Sequence, residues 1–338
     1  MSSNDWSSAG CLYTPVSSPR LEYIVATLFP GLPVVTSPSV LNQAGSIKIN
    51  YSTEKIPGTF RVHPSGLLEE SHIRPVEMPV IQWQSLPAYF ATADDLGFDI
   101  FSAAFYLLSR YEEYLPHQKD AYDRFIPEQS LAYRDGFLQK PLINCWMHVC
   151  RDILSQFFMQ DAIPAEETFR FQPTYDIDIA YAYRYHPLWK SVFGFYRDLL
   201  TGQLDRVLER GNVYSGRTED PFDIYSWIDA LHRDSTPPVF FLLGLLQKGP
   251  EDKNLLLKNP AIRQLFRKLS DRYPVGWHPS RESGKQPGLF PREKQALESV
   301  LGKPLFRSRF HYLSFQLPED YRKLVQAGIQ EDYSMGYG

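Results

Sequence analysis

The chain has few cysteines, no excess of basic residues and no long apolar run. Its three cysteines are Cys11, Cys145 and Cys150, and so sparse and odd a set favours reduced thiols in a reducing compartment. Lys and Arg number 35 against 39 Asp and Glu, which argues against nucleic-acid binding. The longest apolar run, residues 239–246, is too short to cross a bilayer. Residues 1–10 carry no signal-peptide pattern, so we expect a cytoplasmic protein without a membrane span.

What is present is the composition of an ordinary globular protein. Of 338 residues, 43% are hydrophobic and 22% charged, with a net charge of -4. This length suffices for two domains with full-sized cores. The aromatic share of 14% suits a sugar-binding cleft and also suits a core of large side chains, and we favour the core. Composition does not indicate an oligomeric state.

The first half predicts a smaller α+β domain over residues 1–165. Ser18 and Pro19 predict the N-cap and first position of a helix that runs through Phe29. Short strands joined by turns are predicted over residues 34–89, and helices are predicted over residues 99–115 and 143–158. A charged, aromatic stretch over residues 110–124 could be a binding surface. We favour a helix end tied to its loop by ion pairs.

From residue 166 to 338 the pattern changes to alternating strands and helices. Five strands are predicted, the first over residues 169–176, and they end near Asp176, Leu243, His278, Leu313 and Tyr333. This alternation predicts parallel strands with helical crossovers, either in a (β/α) barrel or in a doubly wound sheet. A barrel normally needs more strands to close, and the last predicted strand stands at the chain end. We therefore expect a domain that is incomplete at its C-terminus.

Polar side chains follow three of these strands. They are Asp176 and Asp178, then His278, then Arg309 and His311. Because active sites of parallel β/α folds lie at the carboxyl ends of the strands, we expect these groups to converge. Imidazoles and a carboxylate can hold a divalent ion such as zinc, and a second carboxylate can act as general base on a water.

Other interpretations of these residues are weaker. A lone Asp-x-Asp is often a solvated acidic turn, and a single histidine at a strand end is more often structural than a ligand. A glycosyltransferase could use Asp176 and Asp178 to hold a metal–diphosphate, but no glycine-rich phosphate loop accompanies them and the two histidines stay unexplained. A phosphoaspartyl phosphatase is disfavoured because the run Asp-Ile-Asp-Ile-Ala lacks the hydroxyl residue that such loops usually carry.

Several of these segments resemble the successive strand-end motifs of NodB-homology polysaccharide deacetylases, a carbohydrate esterase family. They are residues 174–178, 240–244, 275–280 and 309–312. The chain is similar to a divergent bacterial branch that carries an N-terminal accessory domain of unknown function, and residues 331–337 also resemble that branch. The resemblance covers the second half well and the first half loosely. It implies a (β/α) barrel-like deacetylase domain, a divalent metal, expected to be zinc, and an N-acetylated carbohydrate substrate.

The resemblance also implies a role for each matching residue. In the family's Asp-x-Asp motif the first aspartate is the catalytic base and the second a metal ligand, which would make Asp176 the base and Asp178 a ligand. His278 matches the first of two motif histidines, but Glu282 stands at the second position. His311 could supply the missing imidazole, or Glu282 an oxygen ligand. We favour His311, because the loop that carries Glu282 looks too flexible to preorganise a ligand.

Two functions follow from these expectations. The first is a metal-dependent hydrolase that removes N-acetyl groups from a polysaccharide or glycan intermediate, with Arg309 orienting Asp176 by a charge-assisted pair. The alternative is a non-catalytic glycan-binding or assembly protein that retains the deacetylase fold. The alternative is favoured by Glu282 and by the family's late motif, whose general-acid histidine would lie beyond Gly338.

Overall fold

A computed structural model of the protein describes Trp6 and residues 10–159, 169–286 and 288–337. The chain forms two compact units, which are Met1–Gln118 with Phe125–Phe169, and Lys119–Arg124 with Arg170–Gly338. The predicted division between residues 165 and 166 lies outside the described residues. Of the helices that the structure describes, none is both long enough and apolar enough to cross a membrane.

The first unit contains a four-stranded parallel sheet and a two-stranded hairpin. Its strands are β1 Gly10–Tyr13, β2 Val34–Val35, β3 Ile47–Asn50, β4 Phe60–Arg61, β5 Ile81–Trp83 and β6 Leu86–Ala88. Its helices are α1 Pro19–Leu28, α2 Pro38–Gln43, α3 Ile100–Leu108, α4 Leu131–Arg134 and α5 Leu142–Phe158. The sheet has the order β2-β1-β3-β4, whereas β5 and β6 pair antiparallel. Its core is rich in buried aromatic side chains, such as Phe98, Phe101 and Trp146.

Local sequence signals predict some of the helix ends in this unit. The Ser18 hydroxyl accepts the Leu21 N–H at the start of α1, which confirms the predicted cap. The helix predicted over residues 143–158 is confirmed as α5. The helix predicted over residues 99–115 is too long, because Arg110 has a left-handed φ of 52° and the chain continues in a 3₁₀ turn. Arg110 forms an ion pair with Glu113, as predicted for a helix end.

The second unit contains an open five-stranded parallel sheet. Its strands are β7 Thr174–Ile177, β8 Val239–Leu242, β9 Val275–Trp277, β10 Arg307–Ser308 and β11 Glu331–Asp332. Its helices are α6 Leu188–Leu200, α7 Leu204–Tyr214, α8 Tyr225–Leu231, α9 Pro260–Arg272, α10 Arg281–Lys285, α11 Leu289–Leu301 and α12 Glu319–Gln326. The order is β11-β10-β9-β8-β7, with every pair parallel. The parallel α/β arrangement is confirmed, and the described residues contain no closed barrel.

Two of the predicted strands differ from the observed ones. Phe169 and Phe171 precede β7 and are 91% and 68% exposed, so the predicted start of this strand is wrong. Pro173 has no backbone N–H, and ladder pairing with β8 begins after it. The strand predicted to end near Leu313 ends at Ser308, because Tyr312 and Leu313 adopt left-handed φ angles of 60° and 52°.

Candidate metal centre

The carboxyl ends of three parallel strands deliver the candidate ligands to one edge of the second sheet. Asp178 directly follows β7, His278 directly follows β9, and His311 lies in a 3₁₀ turn shortly after β10. The backbone N–H of His311 donates to the Pro279 carbonyl at 3.2 Å, which ties that turn to the segment after β9. The side chains converge because parallel strands present the same end at the same edge.

Asp178, His278 and His311 form a cluster that could hold a metal ion. Asp178 Oδ1 lies 3.0 Å from His278 Nε2 and 3.7 Å from His311 Nε2. One ligand atom from each residue lies within 4.8 Å of the others. Two ligand atoms about 2.1 Å from a tetrahedral zinc ion are about 3.4 Å apart. Both distances from Asp178 Oδ1 are close to that value.

The buried Nε2 atom of His278 supports this interpretation. His278 is 1% exposed, and within the described part of the chain its Nε2 has no hydrogen-bond partner. Asp178 Oδ1 is near, but the two groups are not aligned as donor and acceptor. Buried polar atoms without a partner are rare in native proteins and need an explanation. A cation between the imidazole and the carboxylate would satisfy both.

The other ring nitrogen of each histidine is held by an acceptor. His278 Nδ1 lies against the Arg309 carbonyl, and His311 Nδ1 lies 2.9 Å from Asp252 Oδ1. Because a carbonyl and a carboxylate only accept, each Nδ1 must carry the proton and donate. Each Nε2 then presents its lone pair to the cluster in the neutral imidazole. Metal-binding histidines usually have such an outer partner.

Asp252 contacts the cluster from outside, and the sequence did not reveal it. It is fully buried, and its two oxygens accept the backbone N–H groups of Arg281 and Glu282, each at 3.0 Å. Burial raises the pKa of Asp252, but the hydrogen bonds from His311 and these backbone groups outweigh it, and the net pKa is lowered. An ionised carboxylate thus fixes His311 in place. Asp252 lies in the loop between β8 and α9 and belongs to none of the motifs identified in the sequence.

Electrostatics within the cluster favour an ionised carboxylate. Burial opposes ionisation of Asp178, yet its interactions with His278 and His311 lower its pKa below the usual value. Burial lowers the pKa of His278, but the contact with Asp178 and the charge of Asp176 outweigh this and raise it. Metal binding at histidine requires the neutral imidazole, so a raised pKa of His278 makes metal binding more sensitive to low pH.

Asp176 lies beside the cluster and is held by Arg309. Arg309 Nη1 donates to Asp176 Oδ1 at 3.0 Å, and its Nη2 donates to the Thr174 hydroxyl at 3.0 Å. The guanidinium also lies 4.6 Å from the centre of the Phe241 ring. Asp176 lines the same cavity of about 330 Å³ as the three cluster residues. The predicted pairing of Asp176 with Arg309 is therefore present in the structure.

Glu282 does not join the cluster. Its carboxylate accepts from Gln286 Nε2 at 3.0 Å and lies 3.9 Å from Lys285 Nζ. It belongs to α10, a short helix capped by the Ser280 side chain. Among the described residues, the set of candidate ligands is Asp178, His278 and His311.

A short segment from earlier in the chain completes the wall of the cavity. Residues 119–124 belong to the second unit, and Arg124 lines the cavity. The rings of Tyr122 and Tyr312 stack with their centres 4.7 Å apart and an angle of 8° between their planes. Arg281 Nη1 donates to the Tyr122 carbonyl at 2.9 Å. In the sequence, this wall is indicated only by the charged, aromatic stretch over residues 110–124. That stretch was interpreted as a helix end tied to its loop and not as a binding surface.

Comparisons with known proteins concern the first half of the chain. No curated protein and no solved structure matches. Residues 11–159 match the model of a family of unknown function, DUF7033. Asp176, Asp178, His278 and His311 all lie outside that segment. The similarity of this chain to DUF7033 is therefore confined to residues 11–159 and carries no information on the metal cluster.

Proposed function

We propose that the protein is a metal-dependent hydrolase that removes N-acetyl groups from a polysaccharide or a glycan intermediate. The observation that supports it most is the convergence of Asp178, His278 and His311 beside a firmly held Asp176. In this proposal the five-stranded sheet is part of a (β/α) barrel-like deacetylase domain of the NodB-homology type.

The three cluster residues are the metal ligands of this proposal. Two imidazoles and one carboxylate suit zinc, and a three-residue set leaves coordination positions open. The ion supplies Lewis-acid polarisation of the substrate carbonyl. Asp252 and the Arg309 carbonyl hold the two imidazoles in the tautomer that presents Nε2 to the ion.

Asp176 is the general base of this proposal. Hydrolysis of an N-acetyl group adds water to the amide carbonyl, breaks the C–N bond and gives acetate and a free amine. Asp176 accepts the proton of the attacking water and returns it to the nitrogen as the C–N bond breaks. Its charge-assisted hydrogen bond with Arg309 restricts its orientation toward the cavity.

Released acetate is the measurement that tests this function. We expect the purified full chain, loaded with zinc, cobalt or nickel, to release acetate from N-acetylglucosamine oligomers. Asp176→Asn should lower the rate of release by about 10²–10⁴-fold, and Asp229→Asn is the matched control, because Asp229 pairs with Arg272 on a different surface. Stoichiometric metal without acetate release in all three forms would overturn the proposal. Sugar binding that survives both Asp176→Ala and Asp178→Ala would support the glycan-binding alternative.

A further inference from the structure

Helices α6 and α7 form a hairpin, residues 188–214, whose polarity is inverted. Large apolar side chains of α6 are between 54% and 86% exposed, namely Leu188, Trp189, Val192, Phe193, Tyr196 and Leu200. The buried residues of the same helix are Ser191, Gly194 and Asp198. A surface helix in water normally shows the reverse arrangement.

The polar groups of the hairpin satisfy one another on its inner side. Asp198 accepts from Arg197 Nη2 at 2.8 Å and from Arg210 Nη2 at 2.7 Å. The Ser191 and Tyr214 hydroxyls share a hydrogen bond of 2.5 Å. Helices pack with polar groups inward and apolar side chains outward where the surrounding medium is apolar. The hairpin thus has the organisation of an element that meets lipid.

The hairpin together with its flanking residues has a small positive charge in an acidic protein. Residues 184–217 contain six Lys and Arg against three Asp and Glu, in a chain whose net charge is -4. A cavity of about 790 Å³ beside α6 is lined by six Lys and Arg, among them Lys190, Lys248 and Lys253, and by three Asp and Glu. Burial lowers the pKa of Lys190 and of Lys248, and in each case a neighbouring lysine lowers it further. An anionic group in this cavity would relieve that repulsion.

We propose that the hairpin docks the protein on an anionic lipid surface. The outer face of α6 enters the boundary between headgroups and acyl chains, and Lys190, Lys248 and Lys253 contact the anionic headgroups. Trp, Phe and Leu on one face with Lys and Arg beside them are typical of interfacial helices. With 13 residues, α6 is about 20 Å long against a hydrocarbon core of about 30 Å. It therefore lies in the plane of the interface.

A second copy of the chain is a less suitable partner for this face. Two hairpins placed face to face would bring the Lys and Arg side chains of both copies together, and like charges across an interface oppose association. An anionic lipid surface neutralises that charge and covers the apolar residues at once.

Vesicle sedimentation tests this docking surface. We expect the full chain to sediment with phosphatidylglycerol-containing vesicles, to bind phosphatidylcholine vesicles much less, and to lose binding as salt rises. The double variant Phe193→Asp/Leu200→Asp should weaken binding by about tenfold or more. Val325→Asp is its matched control, because Val325 is 73% exposed on α12.

A charge variant gives a second readout. Lys190→Glu should weaken binding to anionic vesicles by about fivefold or more, whereas Lys258→Glu, outside the cavity, should not. Circular dichroism checks that each variant is folded. The proposal is overturned if the chain fails to sediment with anionic vesicles at low salt, or if the double variant binds as the parent does. A dimer that the double variant dissociates, without vesicle binding, would assign the face to a second copy instead.

Discussion

Each unit contains a parallel sheet, but the two sheets differ in the groups that stand at the carboxyl ends of their strands. In the first sheet these groups form short local hydrogen bonds. Asn50 Nδ2 donates to the Glu54 carbonyl at 2.8 Å, and the Ser52 hydroxyl donates to Asn50 Oδ1 at 2.7 Å. The Thr14 hydroxyl donates to the Val16 carbonyl at 2.9 Å. These polar groups are satisfied by their own loops.

The second sheet presents ionisable groups that come from different strands. Asp178, His278 and His311 meet across the sheet edge, and the buried His278 Nε2 has no hydrogen-bond partner among the described residues. A parallel sheet provides an edge where strand ends meet. Such an edge can bind a ligand only when its polar groups are not already satisfied by hydrogen bonds within the protein.

The largest effect should come from Asp176→Asn in the second sheet. Because the amide cannot accept the water proton, we expect kcat for acetate release to fall by about 10²–10⁴-fold. Zinc content should stay unchanged, since Asp176 is not in the cluster. Asn50→Ala in the first sheet is the paired control and should leave kcat unaltered. Equal turnover by Asp176→Asn and the parent would remove Asp176 from the mechanism.

A buried carboxylate of the first unit should affect stability and not metal binding. Asp99 is fully buried and accepts from the Tyr51 hydroxyl at 3.0 Å, Ser65 N–H at 2.8 Å and Ser102 N–H at 3.1 Å. Asp99→Ala leaves these donors unsatisfied and removes the cap of α3, so we expect a loss of about 3 kcal/mol in the free energy of unfolding. Urea unfolding measures this, and a parallel loss of zinc affinity would contradict the separation of roles.

Asp252→Asn should weaken metal binding without removing a ligand. The amide is a poorer acceptor for His311 Nδ1–H, and outer partners of this kind contribute about 10–100-fold to metal affinity. Competition titration with a zinc chelator measures the change. The matched control is Asp320→Asn, a buried carboxylate that pairs with Lys323 at 2.7 Å on α12. If both variants bind zinc like the parent, Asp252 has no role in orienting the ligand.

The smallest effect concerns Asp220, whose pKa shifts in the direction opposite to that of Asp99. Burial raises the pKa of Asp99. Burial also opposes ionisation of Asp220, but the backbone N–H groups of Arg184, Tyr183 and Ala182 outweigh it and lower its pKa. The stabilisation by Asp220 is therefore present above the unfolded-state pKa of about 3.9 and is lost as pH falls through the folded-state pKa.

Asp220→Asn should reveal this pH dependence. At pH 7 the variant should be less stable than the parent by about 1 kcal/mol, because the amide cannot accept every one of these hydrogen bonds. The difference should shrink as the pH falls below about 4. Urea unfolding at both pH values checks the sign, and a difference that grows in acid would show that the carboxylate is not held in its ionised form.

The sequence predicted elements whose signals are local or periodic. The cap of α1, helix α5 and the five parallel strands all followed from such signals. The meeting of Asp178, His278 and His311 followed from one topological rule about strand ends. Phe169 and Phe171 misled the prediction of β7, because their apolar alternation continues across Pro173 and only the backbone shows where ladder pairing begins.

The parts that the sequence did not reveal depend on contacts between distant segments. Asp252 reaches His311 across 59 positions, and Arg281 reaches Tyr122 across 159. No spacing rule covers such separations. The inverted polarity of α6 likewise appears only in the structure, where Asp198 on its inner side accepts from Arg210 of α7.

Measuring the zinc content of the full chain tests most directly whether the three strand ends together form a metal centre. After dialysis against zinc, elemental analysis should find one ion per chain in the parent and none in a His278→Gln/His311→Gln variant that keeps its circular dichroism spectrum. The Asn50→Ala variant of the first sheet should still hold one ion. A parent without bound zinc, or a double variant that keeps it, would contradict the assignment of the metal centre to the second sheet.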